Sequence, residues 1–511
     1  MNKPGHFFGF LVVLALVVSG LSLLIDGKSV EIGDAELSYY SPSELFGPFW
    51  KGTDSSFVEV KENDALEALI EEGDSIDLAP LDSNRQQELK IPDNLAVENA
   101  IPLDSSIQVS DIMMFAPFFD ALAVLKNNRA KNVRVLHFGD SQLEGDRITM
   151  QLRDAYQRLY GGTGFGYAAL KPLVAPSSLS FNNSEGFARK TVFGRRDTAF
   201  KDMKYGHLGS FTLLGRIDST SYEGSVSFAK RNWGFSRARN FTRAKIHLEG
   251  SSPTRAEVFV EDTLFSTRIF PEGEWTLAIE IPYTEQFDLK LSSRTQVRAF
   301  GISFDSPYGF HADNVAMRGA SGMIFSKMND QQFAASLNRE GYDLIIMQFG
   351  GNGIPYLKDE AHAGRFARAL GRQVGHIQRL YPKAAILFIG PSDMARKEGL
   401  EMKSYPLIAS LKEQLREEVI RRGGGYWDLY DVMGGKGSMV QWVEHQPAWA
   451  VKDYIHFTPK GASKVGYALV AALKELEIEY QKVLAQIAAE KQRIQDSTAA
   501  FKMSQGTGVA P

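Results

Sequence analysis

The sequence predicts an α/β protein whose core is interrupted by an inserted all-β domain and preceded by one membrane-spanning helix. Three observations carry this. Apolar runs of buried-strand character, Val133 to Phe138, Tyr342 to Phe349 and Ala384 to Ile389, each stop at a glycine-bearing turn, and helical periodicity surrounds the first of them. Between Leu208 and Asp305 that periodicity gives way to short alternating runs. Near the start, Phe7 to Ile25 is an uncharged apolar stretch.

At 511 residues and 44% hydrophobic, the chain can bury a full core and has room for further domains. The formal net charge of −4 provides no basic field over the chain as a whole, so a phosphate-backbone partner is not suggested and no nucleic acid is expected. With 0 cysteines there are no disulfides, thiolate metal sites or cysteine nucleophile.

Residues 1–26 are expected to be a membrane anchor. The 19 residues from Phe7 to Ile25 lie between Lys3 and Asp26, and at about 1.5 Å per residue they cross a bilayer core of roughly 30 Å. A cleaved signal peptide is the competing reading. Against it, the run exceeds the usual apolar region of about 7–15 residues, and Val18-Ser19-Gly20 is its best cleavage site. Lys3 and the acidic stretch beyond the helix put the remainder in the periplasm, anchored to a bacterial inner membrane, or periplasmic or secreted if the signal is cleaved. Residues 27–110, with Glu59, Glu62, Asp64, Glu67, Glu71, Glu72, Asp74 and Asp77, are expected to be a solvated acidic linker, an acidic binding arm being the alternative.

The first part of the core is expected over residues 111–207. Phe115 to Leu125 is apolar at helical spacing, and the strand Val133 to Phe138 runs into Gly139-Asp140-Ser141-Gln142. Ile148, Leu152, Tyr156 and Leu159 then follow at helical spacing. A strand, a tight turn and a helix set the Ser141 hydroxyl at a strand's carboxyl end beside a helix N-terminus, where developing negative charge is favoured. Alone this is weak, because Asp and Ser are ordinary turn and N-cap residues.

The rest of an acyl-transfer site lies at later strand ends, over residues 306–474. Tyr342 to Phe349 ends in Gly350-Gly351-Asn352-Gly353, where Asn352 suits an oxyanion donor or a plain Asn-Gly turn. Met317-Arg318-Gly319-Ala320-Ser321-Gly322 is a loop whose glycine amides can approach a carbonyl oxygen. Asp453-Tyr454-Ile455-His456 precedes the helical pattern Ala462 to Leu476. A serine needs a base near neutral pH, and that histidine needs an acceptor to hold its tautomer; D-x-x-H supplies both on one turn. His137, inside a strand, is expected to be a packed residue.

In this order the blocks GDSQ, GASG, GGNG and DYIH resemble those of the SGNH (GDSL-like) hydrolase superfamily. The resemblance implies a flavodoxin-like three-layer α/β/α core with a parallel sheet. It implies Ser141 as nucleophile, His456 as general base and then acid, and Asp453 as its orienter. The implied oxyanion hole is made by the Ser141 amide, the Gly322 amide and the Asn352 side chain, with Gly319 as the alternative glycine. No metal or organic cofactor is required. Gln142 stands where the GDSL form has Leu, a difference that bears on subfamily and says little about activity.

About 180 residues separate Ser141 from the glycine block, so something is inserted. Residues 208–305 carry short runs such as Ala244 to Glu249, Ala256 to Glu261 and Val297 to Phe304, read as a β-sandwich or jelly roll. A core interrupted at this point is similar to the peptidoglycan O-acetylesterases with an inserted carbohydrate-binding-module-like domain. Trp233, Phe235 and Trp275 are either stacking surfaces for sugar rings or core aromatics. Residues 475–511 are expected to form an exposed helix, with a thin stripe of Ile478, Val483, Ile487 and Ile494, and a tail. The function expected is removal of O-acetyl groups from an envelope glycan, peptidoglycan first. A polysaccharide O-acetyltransferase using the same residues and a non-catalytic glycan-binding protein are the alternatives.

Overall fold

The computed structural model describes residues 29–32, 35–38, 107–183, 186–194, 197–218, 220–231, 234–281 and 284–506. The expected membrane anchor, residues 7–25, and most of the acidic linker lie outside the described residues. Among the described residues no helix is long and apolar enough to cross a membrane. Inside the linker segment, Ser29–Ile32 and Ala35–Ser38 pair as a short antiparallel hairpin.

Five strands form a parallel sheet: β1 (Asn132–Gly139), β2 (Gly309–Ala316), β3 (Leu344–Gln348), β4 (Ala385–Ile389) and β5 (Gly425–Trp427). Their spatial order is β2-β1-β3-β4-β5, the flavodoxin-type order. The strands read as unbroken apolar runs because both faces are covered. On one face Val133, Val135, Ile346 and Leu387 share a core with α1 (Ala116–Asn127), α2 (Thr149–Tyr160) and the first half of α6 (Pro459–Gly506). On the other, the Phe325 ring lies 4.9 Å from that of Phe138 and 6.1 Å from that of Phe333 in α3 (Asp330–Glu340). Helices α4 (Glu360–Leu380) and α5 (Ile408–Arg421) pack against each other there. The expected three-layer core is therefore present.

Between β1 and β2 the chain builds an 11-stranded antiparallel sheet from Gly166 to Asp305. Its strand Ser210–Arg216 pairs with Val297–Asp305 (Arg298 opposite Leu213) and also with Tyr222–Lys230 (Gly215 opposite Glu223). The sheet thus turns a corner and folds over its own core, where Phe304 lies 5.1 Å from Phe165, 5.0 Å from Phe228 and 4.8 Å from Phe241.

Three expected boundaries move. The insert begins well before Leu208, because Gly166–Ala168, Leu179–Asn183 and Phe187–Thr191 already pair into the antiparallel sheet. These strands are short and carry Asn, Ser, Arg and Lys, so they lack the alternation that marks a half-buried strand. The core already includes Ile107 and Gln108, ahead of residue 111: Ile107 is fully buried, and Gln108 exchanges two backbone hydrogen bonds of 2.8 Å with Tyr426. Helix α6 runs unbroken through residue 475; Leu476, Tyr480 and Val483 are buried, and the Tyr480 hydroxyl donates to Asp120 Oδ1 at 2.8 Å. Of the expected stripe, Val483 and Ile487 pack on the core, whereas Ile478 and Ile494 face solvent.

One buried guanidinium joins the two sheets. Arg134 of β1 donates through Nε and Nη2 to Asp313 of β2 at 2.7 and 2.9 Å, and through Nη1 to Asp305 at the end of Val297–Asp305 at 3.0 Å. Asp313 also accepts from the Tyr342 hydroxyl (2.7 Å) and the Tyr167 amide (2.8 Å). Burial alone drives Asp305 up and Arg134 down, but each is overruled by the other's charge: Asp305 titrates far below the usual carboxylate range and Arg134 above its own.

Replacing Arg134 by Met strands two buried carboxylates and is expected to cost about 3–5 kcal/mol, read as a lower urea midpoint. His137 is also buried, with Nδ1 3.0 Å from Thr149 Oγ1, and burial lowers its pKa to about 3. Because the folded value lies below the unfolded one, its contribution is present above pH ~6.5 and lost as pH falls towards 3. Between pH 6.5 and 5 the stability advantage of wild type over His137→Gln is expected to shrink by about 2 kcal/mol in urea denaturation.

Candidate active site

The carboxyl ends of β1 and β3 adjoin at the point where strand order reverses, the crevice in which open α/β sheets place their chemistry. Past Gly139, Asp140 caps the short 3-10 turn Ser141–Asp146 by accepting from the Gln142 amide at 2.9 Å. Ser141 opens that turn, so its own amide has no intrahelical acceptor.

The structure brings together the three residues expected as a triad. Ser141 Oγ lies 2.8 Å from His456 Nε2, and His456 Nδ1 lies 2.7 Å from Asp453 Oδ2. The other carboxylate oxygen, Asp453 Oδ1, accepts from the Ile455 and His456 amides at 2.9 and 3.0 Å. Tyr454 between them adopts a φ of 58°, the left-handed turn that folds Asp453 back onto the histidine. Burial pushes the Asp453 carboxyl up, but the hydrogen bonds from the His456 ring and the two amides outweigh it, so it titrates below its ordinary value. An ionised Asp453 holds the proton on Nδ1 and leaves Nε2 free to accept from the Ser141 hydroxyl.

Asn352, in the turn that follows β3, reaches the same place. Its Nδ2 donates to Asp140 Oδ2 and to the Ala320 carbonyl, both at 3.2 Å, linking the serine turn to the glycine loop. Burial raises the Asp140 carboxyl to about 6, opposed by the Gln142 amide and the His456 charge. Both loop glycines have positive φ, 76° at Gly319 and 93° at Gly322. Gly319 has open space around it, whereas a Cβ at Gly322 would come within 2.7 Å of Leu370 and 3.0 Å of Phe349.

Two residues hold this constellation: Gln142, which sequence reasoning tied to subfamily rather than activity, and Arg147, which it passed over. The Gln142 carboxamide donates to the Ile455 carbonyl at 2.7 Å and accepts from the Phe457 amide at 3.3 Å, gripping the backbone on both sides of His456. Leucine can make neither bond, so the Gln/Leu difference bears on the site directly. Arg147 donates to the Ser141 carbonyl at 2.7 Å and to the Phe457 carbonyl at 3.1 Å. The signal for Gln142 was its place beside the serine; its partners lie 313 and 315 residues away. Glu144 and Arg318 add a two-point ion pair, 2.5 and 2.7 Å, between the serine turn and the glycine loop.

Of the aromatics considered for sugar stacking, Trp233 lies outside the described residues. Phe235 is half-buried, and Trp275 is exposed on Gly273–Glu280 with its Nε1 donating to the Glu272 carbonyl at 2.9 Å. Among the described residues no group of three or more His, Asp or Glu side chains is arranged to hold a metal ion.

No family model and no curated protein matches the sequence. Solved structures do. A peptidoglycan O-acetylesterase is similar over 71% of this chain and 96% of its own, with a TM-score of 0.55 and 20% identity. A family two carbohydrate esterase from Clostridium thermocellum covers 57% of this chain and 98% of its own at 12% identity, but its TM-score is 0.22. The fold is thus a parallel α/β core carrying an antiparallel insert. In particular, the chain shares its fold with that peptidoglycan O-acetylesterase, the likeness expected from a core interrupted by an all-β insert.

On the reading that Ser141 and His456 act together as an esterase pair, Gln142→Leu is expected to lower kcat on para-nitrophenyl acetate by about 10-fold or more with a smaller change in KM, because loosening the loop moves His456 Nε2 away from Ser141 Oγ. Steady-state kinetics beside wild type check this.

Proposed function

We propose that the chain is a serine esterase that removes O-acetyl groups from a cell-envelope carbohydrate, with O-acetylated peptidoglycan as its leading substrate. The observation that carries the reading is the unbroken line of contacts from Ser141 through His456 to Asp453, 2.8 and 2.7 Å, at the β1/β3 switch point. The shared fold with a peptidoglycan O-acetylesterase supports the choice of substrate class.

In the mechanism, Ser141 Oγ attacks the acetyl carbonyl as His456 Nε2 takes its proton, and Asp453 stabilises the imidazolium. The oxyanion is received by the Ser141 amide, by the glycine-loop amide, Gly322 or alternatively Gly319, and by Asn352 Nδ2 turning one hydrogen from Ala320 or Asp140. His456 then protonates the departing sugar alcohol. Water, deprotonated by the same nitrogen, hydrolyses the acetyl-serine and frees acetate. Gln142 and Arg147 keep the serine turn and the histidine loop in register through both steps.

The same reading puts the catalytic part outside the cytoplasm, tethered to a bacterial inner membrane, on the strength of the uncharged run Phe7 to Ile25. There it meets the glycan that the esterase reading requires.

Acetate release from O-acetylated peptidoglycan tests the proposal, with Ser141→Ala and O-acetylated xylan as controls. Release that disappears in Ser141→Ala and favours peptidoglycan is the expected result. Preference for xylan would overturn the substrate, and release that persists in the variant would overturn the mechanism.

A further inference from the structure

A cleft lined by one guanidinium, Arg189, and two carboxylates, Glu144 and Asp146, lies beside the serine turn; Asp146 is held by Arg153. It runs between β2 and the start of the antiparallel sheet and is open on one side to solvent. Glu144, Gly145 and Ala316 form its near end. Glu144 is three residues beyond Ser141, so its Cα lies at most about 11 Å from that of the serine. Ala316 is in register with Gly139, two residues before Ser141.

The walls are mainly apolar, with Pro172, Leu173, Val174 and Leu208 facing Arg189. Leu173 and Val174 are 56% and 42% exposed, so the apolar wall is open to solvent. Arg189 forms no ion pair or side-chain hydrogen bond with any described residue. Its Nε is fully buried without a partner, and its guanidinium lies 5.6 Å from the Phe193 ring centroid. Burial lowers its pKa, and Glu144 is the charge that opposes this. That carboxylate, however, is already held at two points by Arg318. The cleft therefore retains one partly desolvated guanidinium without an ion-pair partner among the described residues. A carboxylate offers the two-point geometry that a guanidinium prefers.

We propose that this cleft binds the carboxylate of an acidic acetylated glycan, through Arg189, while the acetyl ester lies at Ser141. The apolar wall packs against the small hydrocarbon part that carries the acid. This inference rests on the esterase reading and narrows it: the preferred substrate bears a carboxylate on or next to the acetylated sugar, and a neutral acetylated polysaccharide is a poorer one.

Two measurements test it separately from the chemistry. In the first, Arg189→Met and wild type are compared on O-acetylated peptidoglycan fragments, on the same fragments with carboxylates converted to methyl esters, and on para-nitrophenyl acetate. The expected result is a fall of about 30-fold in kcat/KM on the acidic fragments, mostly in KM, with para-nitrophenyl acetate unchanged. Wild type should lose a similar factor on the methyl esters, and Arg189→Met should not distinguish the two forms. In the second, calorimetry measures binding of the acidic fragments to Ser141→Ala with and without Arg189→Met, which needs no turnover. Binding weakened by Arg189→Met supports the cleft even if wild type releases no acetate, the outcome that defeats only the esterase reading. Equal binding with and without Arg189, or equal loss on para-nitrophenyl acetate, overturns the inference.

Discussion

The guanidinium of Arg134 is the contact on which the two halves of the molecule depend. A charge on a central strand of a parallel sheet is expensive to bury, and it is tolerated here because Asp313 and Asp305 surround it from β2 and from the end of the antiparallel insert. Those carboxylates are equally costly without it. β2 follows the last strand of the insert after only a short turn, so the cluster fixes where the excursion of the chain must return. The flanking Tyr342 hydroxyl and Tyr167 amide fill the remaining lone pairs of Asp313, which leaves little freedom for an alternative register.

Once β2 is pinned beside β1, the site follows. β1, β2 and β3 end side by side: Gly139 is opposite both Ala316 and Gln348, so the serine turn, glycine loop and asparagine turn emerge at one edge. Asp140 then collects the Gln142 amide and the Asn352 amide, joining the first turn to the third. The histidine comes from the far end of the chain, on the loop before α6. Its position is secured by packing of that helix against α2 and by the Gln142 and Arg147 bonds to the loop backbone. None of these polar bonds is individually large, since each exchanges for water on unfolding. In the proposed mechanism their value lies in holding Nε2 within hydrogen-bond distance of a hydroxyl 315 residues away, where small misplacements are costly to rate.

Asp453 and His456 were legible in the sequence because a D-x-x-H turn is local: three residues are enough to bring carboxylate and imidazole together. Ser141 was legible because its strand and turn are also local. Gln142 was not, although its position was in plain view. A carboxamide next to a serine has many possible partners, and only the approach of the Ile455–Phe457 backbone selects one. Arg189 was silent for a similar reason, since a basic residue in a short polar strand looks solvated until the opposite wall is in place. The strands Leu179–Asn183 and Phe187–Thr191 escaped because their stability comes from neighbours in the sheet rather than from their own apolar pattern.

The sequence by itself determined the local chemistry: which strand ends carry a hydroxyl, an amide, an imidazole and a carboxylate, and that an all-β segment divides the core. Hydrophobic periodicity and turn chemistry act over a few residues, so a linear reading reaches them. Tertiary structure alone decided where the insert begins, that α6 docks beyond residue 475, which bonds grip the His456 loop, and that Arg189 comes to line a cleft beside the serine turn. Those outcomes depend on desolvation and on contacts between segments tens to hundreds of residues apart, and they exist only once the surfaces that exclude water have met.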